Sequence, residues 1–236
     1  MKRLRVCMYH KVSENHRDFL TVDKVQFNEQ IEFLSKRYNF ISFSDLNFYL
    51  EGAKTLPENP LLITFDDGYY DNFTNAYPIL KKHNVPFGIF LVSDFVGKEI
   101  IHDGKIQKFL GIDELTEMSH LAQYACHSRR HENINDISEN NLKEEISACK
   151  SNLKELNLDV QPFWAYTYGA FPKKHPEKMK KLIKAFESSE IKAAFRIGNR
   201  INNLPIKSPY RIERLDIRGD DNFLKFSFKV RFGKIL

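Results

Sequence analysis

The sequence predicts an α/β fold: one domain whose parallel strands are covered by helices and arranged in a barrel-like way. Three observations carry that expectation. Seven short apolar runs recur along the chain, and stretches with helical spacing lie between most of them, which is the alternation of parallel βα units. The 236 residues suit a single α/β domain of barrel size, and no Gly/Ser/Pro-rich linker or internal repeat divides them. At 42% hydrophobic and 28% charged residues, the composition is that of an ordinary globular chain, long enough to bury about two-thirds of its surface.

The elements follow in order. Val6 to Tyr9 reads as a first strand ending at His10, and Phe27, Ile31, Leu34 and Tyr38 recur at helical spacing. Leu61 to Phe65 reads as a buried strand that stops at Asp66-Asp67-Gly68, with a helix after it through Ala76, Ile79 and Leu80. Phe87 to Val92 is the third strand, and Leu115, Met118 and Leu121 suit a short helix. Tyr124-Ala125-Cys126 leads as a strand into His127. Ser138 suits an N-cap for a helix that lines up Leu142, Ile146, Cys149, Leu153 and Leu156. Phe163 to Tyr166 is a strand ending near Gly169, and Met179, Leu182, Ile183 and Phe186 mark another helix. Ala193 to Phe195 and Arg211 to Ile217 complete the strands. His10, Asp66, Asp67, His127 and Tyr168 each follow a strand, and in a parallel barrel those ends meet at one rim.

Composition excludes several classes. A net charge of +5 falls well short of a dense nucleic-acid-binding stripe. No apolar run of about 18 residues exists to span a membrane. Cys7, Cys126 and Cys149 are odd in number and widely spaced, which argues against a disulfide framework or a zinc knuckle. The basic opening Met1-Lys2-Arg3 is followed by too few apolar residues for a signal peptide, so the expected location is the cytoplasm.

Two motifs carry the chemistry. In Thr64-Phe65-Asp66-Asp67-Gly68 two adjacent carboxylates close a hydrophobic strand, which is costly unless they are paired or bind a metal. In His127-Ser128-Arg129-Arg130-His131 the histidines stand at i and i+4, the spacing that puts two ligands on one face of a helical turn. Two histidines and one or two aspartates at successive strand ends supply the three protein ligands, with one open position, of a catalytic zinc-type site. A third stretch, Phe163-Trp164-Ala165-Tyr166-Thr167-Tyr168-Gly169, holds the one tryptophan and two tyrosines. Exposed at a strand end, Trp164, Tyr166 and Tyr168 would form a stacking wall for a sugar ring.

With those residues in view, the sequence resembles the polysaccharide deacetylases of the NodB-homology class, carbohydrate esterase family 4. The likeness runs from about Val6 to Ile217. It rests on Thr-Phe-Asp-Asp-Gly and His-Ser-x-x-His in that order, and more weakly on Met-Tyr-His-Lys-Val and Ala-Tyr-Thr-Tyr-Gly. The resemblance implies a distorted (β/α)7 barrel and a divalent metal, usually Zn2+, with Co2+, Ni2+ or Mn2+ as alternatives. It makes Asp67, His127 and His131 the metal ligands and Asp66 the catalytic base, and it sets Tyr168 where a backbone N–H helps hold an oxyanion. The chain departs from the family in two places. Ala165 and Thr167 replace an arginine and a proline of the third motif, and no histidine follows His175 to act as a late general acid. Relatives with an early Tyr-His-x-Val resemble a permuted version of the fold, which carries the acid role to His10. Arg214, on the same face of its strand as Ile212, is the candidate tether for Asp66.

The implied reaction is metal-dependent removal of the N-acetyl group from an N-acetylated sugar or glycan, in polysaccharide biosynthesis. The alternatives are a deformylase or other amidase acting on a lipid-linked aminosugar or small amide, and a catalytically weak sugar-binding protein on the same scaffold. A phosphatase or glycosyltransferase is disfavoured because no Gly-rich phosphate loop is present. The domain is expected to span residues 1–222, followed by a basic aromatic segment, 223–236. That segment carries +4 and no acid, leaving the rest of the chain at +1. Phe226, Phe228, Val230 and Phe232 alternate there with Ser227, Lys229 and Arg231. The pattern suits a half-wet strand, a closing helix, or a peripheral membrane contact with cations over anionic headgroups.

Overall fold

A computed structural model describes residues 2–102 and 104–233. Seven strands form its centre: β1 (Arg3–Tyr9), β2 (Pro60–Asp67), β3 (Phe87–Leu91), β4 (Ala122–Cys126), β5 (Val160–Ala165), β6 (Ala193–Ile197) and β7 (Ile212–Asp216). Every neighbouring pair among them is parallel. β1 pairs with β2 on one side, Cys7 against Ile63, and with β7 on the other, Cys7 against Leu215, so the sheet closes into a seven-stranded barrel. Helices α1 (Lys24–Ser35), α2 (Phe43–Leu50), α3 (Tyr77–Lys82), α4 (Ile112–Met118), α5 (Leu142–Glu155), α6 (Pro176–Ser188) and α7 (Phe223–Phe232) surround it. No α-helix joins β6 to β7. There the two-residue strand Asn202–Asn203 runs antiparallel to the start of β1, which distorts the (β/α) repeat.

Strand alternation sorts the side chains into two layers. Leu4, Val6, Leu62, Phe90, Ala125, Phe163, Ala165, Ala193, Phe195 and Ile212 fill the barrel interior. Phe43 of α2 plugs it, with ring centroids 5.0 Å from Phe90 and 5.3 Å from Phe163. Gly88 of β3 makes room for that plug, since a Cβ there would meet the Phe43 ring at 2.1 Å. The residues between, such as Cys7, Tyr9, Ile63, Phe65, Ile89 and Tyr124, face the helices in a second, outer core. The free thiols of Cys7, Cys126 and Cys149 are all buried.

The C-terminal alternation resolves as a helix. In α7, Phe226 and Val230 are buried four residues apart, and Phe226 packs against Phe33 of α1 with centroids 5.9 Å apart. Lys229 is buried as well: its Nζ donates to the Asp216 carbonyl at 2.6 Å and to the Asp221 carboxylate, and Lys225 lies 2.6 Å from Asp221. Helical spacing therefore carries part of the segment's basic charge back onto the barrel. Leu224, Phe228 and Phe232 stay exposed, and 234–236 lie outside the described residues. Among the described residues, no helix is long and apolar enough to cross a membrane.

Helix α5 begins three residues later than the Ser138 signal indicates, with Asn141 as its N-cap. The sequence reading also passed over an antiparallel hairpin, Glu99–His102 with Lys105–Lys108, although Asp-Gly at 103–104 between isoleucine-rich arms is a hairpin signal; Asp103 itself lies outside the described residues.

Candidate functional site

The C-terminal strand ends open onto a cavity of about 480 Å³ lined by His10, Asp66, Asp67, His127, His131 and Tyr168, among others. In regular strand geometry, adjacent residues such as Asp66 and Asp67 would point to opposite faces. Asp66 continues the inward set of Leu62 and Thr64. Asp67 departs from it with a left-handed φ of 71°, rare for a non-glycine residue, and its carboxylate joins the rim of the same cavity. Gly68 follows at φ 80°, where a Cβ would strike Leu91 at 2.6 Å.

His127 continues the inward set of β4. Its Nδ1 meets the Ala165 carbonyl at 2.9 Å. With the proton on Nδ1 in that hydrogen bond, the lone pair of Nε2 faces the cavity. Nε2 lies 3.3 Å from Asp67 Oδ1, and His131 Nε2 lies 3.2 Å from the same atom. The expected helical turn is absent, however. Residues 127–131 form a loop in which Ser128 and His131 take left-handed φ of 72° and 62°. The loop's backbone is bonded outward instead. Ser93 N donates to Ser128 O at 3.2 Å, Asp94 N to Arg129 O at 2.9 Å, and Arg129 N to Glu145 Oε1 at 2.6 Å. The two histidines converge because neighbouring segments hold this loop, not because of helical periodicity.

The donor set fits a divalent cation. One ligand atom from each of Asp67, His127 and His131 lies within 4.8 Å of the others. Asp67 Oδ1 is buried with no hydrogen-bond partner despite its two nitrogen neighbours, an arrangement that a shared ion satisfies and a hydrogen bond does not. Burial alone would push the Asp67 carboxyl up, but the two imidazoles hold it well below the usual range. Burial would likewise lower His127, but Asp66 and Asp67 raise it above its ordinary value. The field at this point favours positive charge.

Asp66 is held by Arg214. Nη1 donates to Oδ1 at 2.6 Å and Nη2 to Oδ2 at 2.7 Å, a bidentate pair whose side chains are 0% and 3% exposed. Burial pushes the Asp66 carboxyl up; Arg214 and His127 outweigh it and bring it below the usual range. Asp66 Oδ2 is 3.8 Å from His127 Nε2, so it stands beside the three-atom cluster.

Trp164 and Tyr166 require a correction. Both are buried among the helices in the outer core, Trp164 against Phe186 with centroids 5.8 Å apart, and the Tyr166 hydroxyl donates to the Tyr210 carbonyl at 3.1 Å. Alternation along β5 sends Ala165 inward and its two neighbours outward, so neither forms a wall for a sugar. Tyr168 alone of the three lines the cavity, and it is 62% exposed.

The structure adds residues that sequence reasoning missed. Asp216 ends β7 and lines the cavity, so the strand-end rule that found the other carboxylates could have found it. Burial raises its carboxyl above the usual range, opposed first by His10. Lys105 and Gln107 reach the cavity from the hairpin, where Gln107 Oε1 accepts from Lys11 Nζ at 2.7 Å. Beside Lys11, burial pushes the carboxyl of Asp71 up to about 7 against the pull of that lysine. A carboxyl raised in the fold but ordinary in the unfolded chain loses stability as pH rises between the two values, from about 4 to 7. Asp71→Asn is therefore expected to gain on the parent across that window, by about 1 kcal/mol or more at pH 8 relative to pH 4. Urea midpoints at the two pH values check this, and parallel pH profiles would refute it.

The family model described as polysaccharide deacetylase matches residues 53–202. The YxkH protein of Bacillus subtilis is 29% identical over 150 residues, 63% of this chain and 50% of that protein. A poly-beta-1,6-N-acetyl-D-glucosamine N-deacetylase of Staphylococcus aureus is 30% identical over 139 residues, 58% of this chain and 46% of that protein. The chain thus spans about half the length of these relatives. Among solved structures, IcaB from Ammonifex degensii superposes with a TM-score of 0.76 at 23% identity, covering 91% of each chain. A de-N-acetylase from Aggregatibacter actinomycetemcomitans gives 0.77 at 20% identity, over 97% of this chain and 100% of that one. These neighbours share the barrel. With the family model matching more than half of its length, the chain belongs to the polysaccharide deacetylase family.

Proposed function

We propose that the chain is a metal-dependent hydrolase that removes the N-acetyl group from an N-acetylated sugar within a glycan. The observation that carries this reading is the convergence of Asp67, His127 and His131 on one point beside a separately anchored Asp66. The N,N,O donor set favours Zn2+. When bound, the ion supplies Lewis acidity to a water and to the acyl oxygen. The relatives named as N-acetylglucosamine polymer deacetylases make such a polymer the first substrate to try.

The chain's own residues divide the remaining work. Asp66 stays ionised at neutral pH, fixed by Arg214, and accepts the proton of the attacking water as general base. The Tyr168 backbone N–H serves the developing oxyanion, a typically large contribution to such catalysis. His10, which lines the same cavity as Asp66 and Asp216, donates a proton to the leaving amine.

The test is metal analysis of the purified chain together with acetate release from N-acetylglucosamine oligomers, with and without a chelator. Acetate release that a chelator stops and Zn2+ restores is expected. Release unchanged by metal removal, or none from a metal-loaded chain over a panel of N-acyl sugars, overturns the reading. In the same assay His10→Ala is expected to keep its metal and lower kcat by roughly 10²–10⁴-fold; an unchanged kcat would remove His10 from the mechanism.

A further inference from the structure

The geometry points to the Tyr168 hydroxyl as the group that holds His131 in its ligating orientation, a positioning role set by the side chain and separate from that of the Tyr168 backbone. The inference rests on the reading that Asp67, His127 and His131 bind a metal. Tyr168 Oη lies 3.1 Å from His131 Nδ1, and the two rings meet edge-on with centroids 4.7 Å apart. Ligation through Nε2 requires the His131 proton on Nδ1, which makes the phenol oxygen the acceptor of that N–H. The two histidines are therefore supported by different means. His127 leans on a buried main-chain carbonyl of β5, which no substitution removes. His131 leans on an exposed side chain.

The backbone around Tyr168 is shaped to deliver that hydroxyl. Tyr168 has φ 56° and Gly169 φ 63°, two consecutive left-handed residues. A tyrosine in that region is strained and persists only where its surroundings fix it. Here Tyr166 N donates to Phe195 O at 2.9 Å, Gly169 N to Tyr166 O at 2.9 Å, and Thr167 Oγ1 to Glu132 O at 2.6 Å. The last bond ties the turn to the residue that follows His131. His131 is itself left-handed, so two unusual backbones present one ring to the other. The Gly169 position fits the same design, since a Cβ there would strike Ile197 at 2.8 Å.

Partners of this kind behind a metal-ligating histidine typically change metal affinity 10–100-fold. Zn2+ affinity should be measured by competition with a chromophoric chelator on the full chain, alongside thermal midpoints of the metal-stripped forms. Tyr168→Phe is expected to weaken Zn2+ binding by about 10–100-fold, with the metal-stripped midpoint unchanged. Tyr168→Ala should weaken it at least as much. Wild-type affinity in Tyr168→Phe overturns the inference, and loss in Tyr168→Ala alone assigns the effect to ring packing and overturns it too. A wild-type chain that takes no Zn2+ overturns both this inference and the metal reading beneath it.

Discussion

Asp67→Ala is expected to lose bound metal and all measurable acetate release, whereas Asp66→Asn keeps its metal and loses about 10²–10⁴-fold in kcat. The two residues are neighbours of one chemical type, so the contrast depends wholly on where the backbone puts them. Asp67 gives the only oxygen of the three-atom cluster, and Oδ1 is within 3.3 Å of both histidine Nε2 atoms. Without it two imidazoles remain, too few for a tight site. Asp66 faces the barrel interior, anchored through both oxygens by Arg214. An asparagine there has nearly the same shape but cannot accept a proton as a carboxylate does. Metal content and kcat, measured on both variants, decide the matter. If Asp66→Asn turned over at the parent rate, the base would have to be sought elsewhere; if it lost its metal, the division of roles between the aspartates would fail.

Much of this site was legible in the sequence, for a definite reason. The seven apolar runs correspond to the seven barrel strands, because strands buried on both faces show as short continuous apolar stretches. Strand ends in a parallel barrel share one rim, so His10, Asp66, Asp67 and His127 could be placed together before any coordinates. Arg214 opposite Asp66 follows from the same period of two: Ile212, Arg214 and Asp216 share a face, and that face is the barrel interior. The differences between expectation and structure have separate causes. His127 and His131 are spaced for a helix but sit in a loop with two left-handed residues, a geometry set by contacts with Ser93, Asp94 and Glu145. Trp164 and Tyr166 suggest a wall in the sequence because aromatic residues near a strand end suit either face. Alternation from the inward Ala165 settles that they face the helices. The C-terminal segment alternates in sequence, yet Phe226 and Val230 obey the helical period once Phe33 offers them a surface.

The buried pair of Asp66 and Arg214 ties the chemistry to the stability of the fold. Arg214→Met is expected to destabilise the chain by roughly 3–5 kcal/mol, since it strands a buried carboxylate with no counter-ion. Asp66→Asn strands the guanidinium instead, and a cost of similar size should accompany its loss of turnover. The two costs have one cause, so they cannot add. In the double variant Asp66→Asn/Arg214→Met no full charge remains unpaired between the two positions, and methionine packs well beside Phe90, whose ring already lies 5.3 Å from the guanidinium carbon. The double variant should therefore be more stable than the sum of the singles predicts by about 2–3 kcal/mol, read from urea midpoints, while acetate release stays as low as in Asp66→Asn. Strictly additive costs would mean that the two groups do not meet in solution as they do here. Turnover recovered along with stability would mean that the charge on Asp66 serves the fold and not the reaction. Stability restored without turnover separates the two roles, because a neutral pair can fill the barrel but only the carboxylate can take a proton at its mouth.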